Sequence, residues 1–332
     1  MTSILVTGGA GYVGSVSVEA FLAAGHRVVV LDDLTTGHRS AVNAGATLVV
    51  GSYGDGSVVR PLLREYAIEA ILHCAARSLV GESIASPVRY YTDNVAGGVN
   101  LLESARELGV DRVVFSSTAA VYGEPDTTPI PEDAPLRPIN PYGETKRTFE
   151  GALRWYGSAY GLRSVSLRYF NVAGATEAIG EDHDPETHLI PVVLRAAEGG
   201  EPVTLFGDDY PTPDGTCIRD YIHVADLASA HLLAIEATAP GDPRTDSGAI
   251  ACNLGVGGGF SNREVLAAAS AAVGREIPAV IGPRRAGDPP ILVAAAERAA
   301  EVLGWSPQHT TLETMVGSAW AWRQTHPDGY ID

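Results

Sequence analysis

The sequence is poor in cysteine and has no long apolar run. Its three cysteines, Cys74, Cys217 and Cys252, are scattered, and no two of them form a CxxC pair. This pattern excludes a disulfide framework and predicts reduced thiols. No stretch is apolar for the length of a membrane span, and no signal-peptide pattern precedes the first predicted strand. We therefore expect a cytoplasmic protein without membrane association.

Positive charge is scarce as well. The chain has 23 Lys and Arg residues against 40 Asp and Glu residues, which gives a formal net charge of −17. Such a chain repels a phosphate backbone, so we expect no nucleic-acid partner. Of the 23 basic residues, Lys146 is the only lysine, and all the others are arginines.

Short apolar runs alternate with amphipathic stretches in the first half of the chain. The runs predicted as buried strands are Ile4–Thr7, Arg27–Leu31, Thr47–Val50, Ala70–His73, Arg112–Ser116 and Ser164–Arg168. The helical stretches between them are Val13–Ala24, Ser57–Tyr66, Asn94–Leu108 and Pro141–Tyr160. This alternation predicts right-handed βαβ units, and hence an α/β fold with a doubly wound, Rossmann-like parallel sheet.

The pattern loosens after about Ala175, where Pro, Gly and Asp become dense. The helices predicted there are Pro191–Glu198, Val224–Ala237, Asn262–Val273 and Leu312–Thr325. We expect a Rossmann domain over residues 1–174, rejoined by part of 218–258, and a smaller mixed α/β lobe over 175–332. Ligands usually bind in a cleft between two such units, at the carboxyl ends of the strands.

A glycine-rich turn follows the first predicted strand and opens the first helix. It contains Gly9-x-Gly11-x-x-Gly14, which lets backbone N–H groups approach a pyrophosphate at a helix N-terminus. Asp32 ends the second strand, where a carboxylate accepts hydrogen bonds from ribose hydroxyls and repels a 2′-phosphate. Asp33, and not an arginine, follows it. The sequence therefore predicts NAD as cofactor in preference to NADP.

Tyr142 and Lys146 lie four residues apart in a helix that Asn140 and Pro141 are suited to begin. Removing a proton from a hydroxyl group as hydride leaves the same carbon requires a base near neutral pH. The tyrosine pKa must then fall by roughly 3 units, or about 4 kcal/mol. A lysine ammonium roughly 4 Å away supplies about that much at an effective dielectric near 20. Arginine is a wide, forked cation, whereas lysine is a compact charge. A chain that uses arginine at every other basic position but lysine here indicates that this position requires the compact cation, as a catalytic pair with Tyr142 would.

The strand Arg112–Ser116 continues into Ser117, Thr118, Ala119 and Ala120. A hydroxyl at the carboxyl end of a central strand faces the cleft. We therefore predict that Thr118 bridges the substrate hydroxyl and Tyr142.

Together these motifs resemble the extended short-chain dehydrogenase/reductase family, and within it the UDP-glucose 4-epimerase group. The resemblance covers nearly the whole chain. Its motifs are Thr7–Gly14, Val80–Ser83, Ser116–Gly123, Pro141–Lys146, Arg168–Asn171, His188–Pro191, Phe206–Asp226, Pro283–Asp288 and the tail from Gly304 to Tyr330. Many reductases share Thr7–Gly14 and Pro141–Lys146, so the later motifs are more specific to this group.

The resemblance implies a tightly held NAD and the interconversion of UDP-glucose and UDP-galactose. Tyr142 takes the proton of the sugar C4 hydroxyl as NAD takes the C4 hydride. The 4-keto sugar then rotates about its diphosphate link and receives the hydride on its opposite face. A homodimer through the helices Asn94–Leu108 and Pro141–Tyr160 is also implied.

The resemblance also assigns binding residues to the two ligands. Those implied for NAD are Gly8, Gly11, Tyr12, Val13, Gly14, Asp32, Asp33, Thr36, Ser52, Tyr53, Cys74, Ala75, Ala76, Ser78, Asn94, Ser116, Tyr142, Lys146, Tyr169 and Phe170. Those implied for the UDP-sugar are Thr118, Asn171, His188, Leu189, Thr204, Phe206, Arg219, Arg285, Asp288 and Leu292. The arginines suit this role, because guanidinium forks match a diphosphate.

The chain departs from the family pattern at several positions. Relatives that dehydrate nucleotide sugars carry Asp-Glu where this chain has Ala119 and Ala120, which argues against dehydratase chemistry. Ser52 stands where the best-known epimerases have an aspartate near the adenine, and Ser78 replaces a lysine of some members. Leu292 aligns with a bulky tyrosine of some members, so the pocket has room for an N-acetyl group at the sugar C2.

Two other functions remain open from the sequence. One is 4-epimerisation of UDP-N-acetylhexosamines, UDP-pentoses or UDP-uronic acids. The other is a non-catalytic NAD sensor of the same fold, which has no need of Tyr142 and Lys146. The segment Glu181-Asp182-His183-Asp184, with Glu186 and His188, matches no tight ligand spacing, and Pro185 interrupts any helix that would align it. We predict a solvated loop beside the substrate pocket and no metal site.

Overall fold

A computed structural model describes residues 1–245, 248–285 and 288–332. The strands there are β1 Ser3–Thr7, β2 Arg27–Asp32, β3 Thr47–Val50, β4 Ala70–His73, β5 Arg112–Thr118, β6 Arg163–Tyr169, β7 Asn171–Ala173, β8 Val203–Phe206, β9 Ile218–Arg219, β10 Tyr221–His223, β11 Ala249–Leu254, β12 Phe260–Ser261, β13 Ala279–Gly282 and β14 Ile291–Leu292. The α-helices are α1 Tyr12–Ala23, α2 Gly56–Glu65, α3 Val80–Ala85, α4 Pro87–Tyr90, α5 Gly98–Glu107, α6 Pro141–Tyr160, α7 Leu189–Ala197, α8 Val224–Ala237, α9 Asn262–Val273, α10 Glu297–Leu303 and α11 Leu312–Thr325.

Seven strands form one sheet in the order β11-β6-β5-β4-β1-β2-β3, and every neighbouring pair is parallel. The strand order reverses between the neighbouring strands β1 and β4. From β1 the sheet continues outward through β2 and β3, and from β4 it continues in the opposite direction through β5 and β6. In such sheets the crevice at the carboxyl ends beside this switch point is the usual ligand site. The predicted doubly wound fold is confirmed.

Side-chain alternation explains why the strands carry almost continuous apolar runs. Ile4 and Val6 of β1 face a core built with α1, α8 and α10. Leu5, between them, faces the opposite core, built with α2, α5 and α6. Since successive side chains point to opposite faces, a strand covered by helices on both sides must be apolar at every position.

Most predicted helices and strands are present within a residue or two of their predicted ends. Strand β11, which the strand prediction omitted, pairs with β6 and brings residues 249–254 back into the main sheet. The predicted helix Asn94–Leu108 differs, because a π-helical segment over Tyr91–Gly97 precedes α5.

A second, smaller core lies in the C-terminal part of the chain. It is built from α7, α9 and α11 with β8, and its fully buried members include Val193, Val265, Met315 and Val316. Short sheets accompany it, with the orders β10-β7, β12-β9-β14 and β13-β8. No helix in the described ranges is long and apolar enough to cross a membrane.

Candidate functional site

A cleft of about 1610 Å³ opens at the carboxyl ends of the central strands. This exceeds the roughly 300–1,000 Å³ of most small-molecule sites, so two ligands fit side by side. The residues of the predicted NAD set that line it are Gly8, Gly11, Tyr12, Val13, Gly14, Asp32, Asp33, Thr36, Ser52, Tyr53, Cys74, Ala75, Ala76, Ser78, Tyr142, Lys146, Tyr169 and Phe170. Those of the predicted UDP-sugar set are Thr118, Asn171, His188, Arg219, Arg285, Asp288 and Leu292.

Five predicted residues do not line the cleft. Asn94 and Ser116 lie behind its wall, where Asn94 bonds the backbone of Arg77 and the hydroxyl of Thr145. Leu189 is the first residue of α7. Thr204 and Phe206 lie on β8. Gly287, part of one family motif, lies outside the described residues.

The glycine turn brings backbone N–H groups to the cleft. Gly8 has φ +72°, and a Cβ there would lie 2.6 Å from the backbone nitrogen of Ala75. A Cβ at Gly14 would collide with the carbonyl of Gly8. Gly11 is the N-cap of α1 and has no side chain to satisfy the first-turn N–H groups. The start of α1 is therefore an open anion-binding site.

Asp32 is held rigidly at the end of β2. Its two carboxylate oxygens accept hydrogen bonds from the N–H groups of Ala10, at 3.0 Å, and Leu34, at 2.9 Å. Burial raises the pKa of Asp32, and these two N–H groups oppose the rise. Because each oxygen keeps lone pairs, the carboxylate can still accept bonds from a ribose.

Tyr142 lies in the first turn of α6, which Asn140 caps by accepting a hydrogen bond from the N–H of Gly143 at 2.9 Å. Burial raises the pKa of Tyr142, and a hydrogen bond with the side chain of Thr118 opposes the rise. This hydrogen bond is one half of the predicted bridge, and the contact of Thr118 with a substrate hydroxyl stays a prediction. Among the protein's own groups, desolvation therefore outweighs the Thr118 hydrogen bond, and the lowered tyrosine pKa expected beside a cationic nicotinamide ring stays a prediction.

Lys146 is buried one turn further along α6. Its Nζ donates to the carbonyl of Ser116 at 2.7 Å and lies 4.7 Å from the centre of the Phe115 ring. The centre of the Tyr142 ring is 5.9 Å away. Burial lowers the pKa of Lys146 to about 8, although Cys74 and Glu150 act to raise it. The ammonium is confined to a narrow space that suits a compact cation.

Sequence reasoning missed the polar layer behind this pair. His231 of α8 is fully buried, and its ring nitrogens bond the hydroxyls of Ser17 and Ser116, each at 3.0 Å. Burial lowers the pKa of His231 to about 3, so the ring is neutral. This network fixes Ser116, whose carbonyl holds Lys146. No local pattern indicates it, because its members come from α1, β5 and α8.

The opposite end of the cleft is basic. Arg219 of β9 forms an ion pair with Asp288, and the Arg285 guanidinium lies 3.9 Å from the centre of the Phe206 ring. Asn171 donates its side-chain N–H to the carbonyl of Asp220 at 3.1 Å. Two guanidinium groups at one end of a cleft suit a diphosphate.

The loop between β7 and α7 forms part of the wall, and the sequence interpretation of it needs correction. Glu181, His183 and His188 line the cleft, as expected for a loop beside the pocket. The side chain of Glu186 is only 1% exposed, however, so the segment is not simply solvated. Burial alone would lower the pKa of His183, but Glu181 and Glu186 raise it to about 9.

The arrangement supports proton transfer at one carbon. The half-buried Tyr142, with the Thr118 hydroxyl beside it and the Lys146 ammonium behind it, lies between an anion-binding helix start and a basic pocket. Ala119 and Ala120 line the same stretch of the cleft, and neither can act as an acid or a base.

Comparison with known proteins agrees with this geometry. Residues 4–248 match the model of the NAD dependent epimerase/dehydratase family. A Streptococcus mutans protein named UDP-glucose 4-epimerase is 50% identical over 335 residues, covering 99% of each chain. A crystal structure of a UDP-glucose 4-epimerase has a TM-score of 0.95 at 48% identity, covering 99% of this chain and 100% of the other. The Bifidobacterium longum enzyme in complex with NAD+ and UDP has a TM-score of 0.93 at 35% identity, with 99% and 100% covered. The chain belongs to the NAD dependent epimerase/dehydratase family.

Proposed function

We propose that the protein interconverts UDP-glucose and UDP-galactose by reversible oxidation at the sugar C4. The observation that carries the proposal is the contact of Tyr142 with Thr118 beside two alanines, Ala119 and Ala120. One acid–base group serves proton removal and return at a single carbon. Dehydration would require a further acid–base pair at the alanine positions. The Streptococcus mutans relative and the crystal structure at 48% identity both carry the name UDP-glucose 4-epimerase.

The cofactor is NAD, and the residues of the cleft fit it. The uncapped start of α1 suits the pyrophosphate, and Asp32 suits the adenosine ribose. When bound, NAD accepts the C4 hydride and later returns it. The B. longum relative was crystallised with NAD+.

Tyr142 holds and moves the proton. Since burial raises its pKa, the protein needs positive charge nearby to favour the phenolate. Lys146 supplies one such charge, and the start of α6 supplies a partial one. The oxidised nicotinamide ring is a further positive charge. Thr118 passes the proton between the C4 hydroxyl and Tyr142, or orients that hydroxyl.

The basic end of the cleft holds the diphosphate while the sugar turns. Arg219, Arg285, Asn171 and Asp288 would bind the UDP part, which stays in place through both half-reactions. The 4-keto sugar rotates about its diphosphate link and presents its other face. A wide cleft between these residues and Tyr142 gives the ring room to do so.

A second substrate class is favoured by Leu292. This side chain of β14 lines the cleft and packs, as Phe170 does, against the buried cluster of Val121, Tyr122 and Ile130. A leucine occupies less space than the tyrosine of some relatives. We therefore expect UDP-N-acetylglucosamine to be accepted beside UDP-glucose.

The domain division and the assembly complete the proposal. Residues 1–174, with β11 and α8 from 218–258, would form the NAD-binding domain, and 175–332 the UDP-sugar lobe. We also propose a homodimer through the surfaces of α5 and α6. Trp155 and Tyr160 of α6 are 70% and 58% exposed, and a second copy would cover them.

A panel of UDP-sugars tests the function. Purified protein should convert UDP-galactose to UDP-glucose and act on UDP-N-acetylglucosamine, in an assay coupled to an enzyme that oxidises the product. Tyr142→Phe should cost on the order of 10²–10⁴ in rate while NAD remains bound. Tyr156→Phe is the matched control on the same helix, since its hydroxyl bonds Glu103 outside the cleft. Unchanged turnover in Tyr142→Phe would refute the mechanism, and inactivity on UDP-N-acetylglucosamine alone would refute only the second substrate class.

A further inference from the structure

Four metal-ligating side chains meet in the loop that joins β7 to α7. Glu181, His183, Glu186 and His188 each offer one ligand atom, and these four atoms lie within 4.8 Å of one another. His188 is the N-cap of α7, and the other three precede it in the loop. The cis peptide between Asp184 and Pro185 lies in the middle of this segment.

The distances between the ligand atoms are those of a coordination sphere. His183 Nδ1 lies 3.3 Å from Glu181 Oε1 and 3.5 Å from Glu186 Oε2. His188 Nδ1 lies 2.8 Å from Glu181 Oε1 and 3.1 Å from Glu186 Oε1. Ligands at about 2.0–2.1 Å in a tetrahedron are separated by roughly 3.3 Å. The cluster therefore needs only small adjustments to enclose an ion.

Two atoms of the cluster are buried without a hydrogen-bond partner. They are His183 Nδ1 and Glu186 Oε2, which face each other at 3.5 Å. The Glu186 side chain is 1% exposed, so bulk solvent does not reach it. Leaving buried polar groups unsatisfied costs free energy, and native proteins rarely do so. A bound cation would satisfy both atoms at once.

We propose that Glu181, His183, Glu186 and His188 bind one divalent transition-metal ion, with Zn²⁺ the best match. Imidazole nitrogen and carboxylate oxygen are both zinc ligands, and four of them complete a closed tetrahedral site. Two carboxylates with two neutral imidazoles also balance the charge of a divalent ion. Because the protein supplies all four ligands, the ion has a structural role and takes no part in the chemistry at Tyr142.

A metal ion bound here would stabilise the loop between β7 and α7, which forms one wall of the cleft. The Tyr12 ring, at the start of α1, contacts the His183 ring edge-on at 6.5 Å between centroids. The Tyr12 hydroxyl donates to the carbonyl of Gly174 at 2.5 Å. An ion bound by His183 and His188 would therefore tie the loop to the start of α7 on one side and against α1 on the other. It would set the position of His188 in the cleft.

Metal titration of the whole protein tests the proposal without an activity assay. The protein is stripped with EDTA, dialysed, and titrated with Zn²⁺ in competition with a chromophoric chelator. We expect one saturable site per chain, and a Co²⁺ derivative with the intense visible absorption of tetrahedral coordination. Glu186→Gln should weaken Zn²⁺ binding by at least about 100-fold. His309→Gln is the matched control and should leave binding unchanged, because His309 pairs with the carboxylate of Asp226 and is not one of the four ligand residues.

Three results would overturn the proposal. The first is stripped protein without a saturable site at one Zn²⁺ per chain, which would make the cluster a set of ion pairs only. The second is equal affinity in Glu186→Gln and the unmodified protein, and the third is an equal loss in His309→Gln. Circular dichroism checks that the variants fold, and His183→Gln replaces Glu186→Gln if the latter does not. The Co²⁺ spectrum of the unmodified protein decides the matter without any variant.

Discussion

A substitution that removes the charge of Lys146 but keeps much of its length should show how far this charge stabilises the phenolate of Tyr142. The Nζ atom lies 5.9 Å from the centre of the Tyr142 ring. At an effective dielectric near 20, a charge at that distance stabilises a phenolate by about 3 kcal/mol. This equals about 2 pKa units, or a hundredfold change in the fraction of ionised tyrosine. We therefore expect Lys146→Met to lower the turnover rate at neutral pH by about 100-fold.

The pH profile carries the diagnostic result. Without the lysine, Tyr142 should ionise at higher pH, so the rising limb of the rate profile should move up by about 2 units. Activity should then recover in part at alkaline pH. Lys146→Arg keeps the charge, but a wide guanidinium fork does not reproduce the single donor position of Nζ, 2.7 Å from the Ser116 carbonyl and 4.7 Å from the centre of the Phe115 ring. We expect it to remain below the unmodified protein at every pH.

The assay is the coupled epimerase rate at saturating UDP-galactose, measured across the pH range with bound NAD quantified for each variant. Arg147→Met is the control, since Arg147 is the next residue of α6 and pairs with Glu144 on the exposed face. It should leave both the rate and the profile unchanged. A Lys146→Met protein with full activity at neutral pH would refute the reasoning. So would a reduced rate with an unshifted profile.

Three further predictions concern the cofactor, acid stability and assembly. Asp32→Ala should weaken NAD binding by at least about tenfold, because a charged acceptor for the ribose is lost, and should reduce the discrimination against NADP in fluorescence titrations. Burial holds the pKa of His231 at about 3 against 6.5 for an exposed imidazole, so its contribution to stability is complete above pH 6.5 and is lost as the pH falls. We expect His231 to contribute about 1.4 kcal/mol per pH unit to the fall of the free energy of unfolding in urea below that point, and His231→Gln to reduce the slope by that amount. Trp155→Glu should convert a dimer into a monomer in light scattering, because it places a charge in the surface that a second copy would cover.

Each of these has a contrary outcome. Tighter binding of NADP than of NAD by the unmodified protein would contradict the role of Asp32. Equal acid slopes in His231→Gln and the unmodified protein would contradict the neutral imidazole. Ile331→Glu, a charge introduced at another exposed apolar side chain, is the control for Trp155. Equal masses for all three proteins would contradict the proposed interface.

The local features of the proposed NAD-binding domain could be predicted from the sequence. The glycine turn, Asp32, and the start of α6 at Asn140 are each encoded within a few residues. Their physical causes are local as well, because backbone sterics, helix capping and strand burial act over short stretches. Lys146 was identifiable because it is the only lysine in the chain.

Other features depend on contacts that no local pattern encodes. The direction of the Tyr142 pKa depends on how far the cleft desolvates the phenol, and that follows from the packing of several elements. His231 reaches Ser116 only because α8 packs against the sheet. The irregular spacing of Glu181, His183, Glu186 and His188 argued against a ligand set, since a loop can place its side chains in many ways. Only the folded loop, closed against α1 and α7, brings those four ligand atoms together.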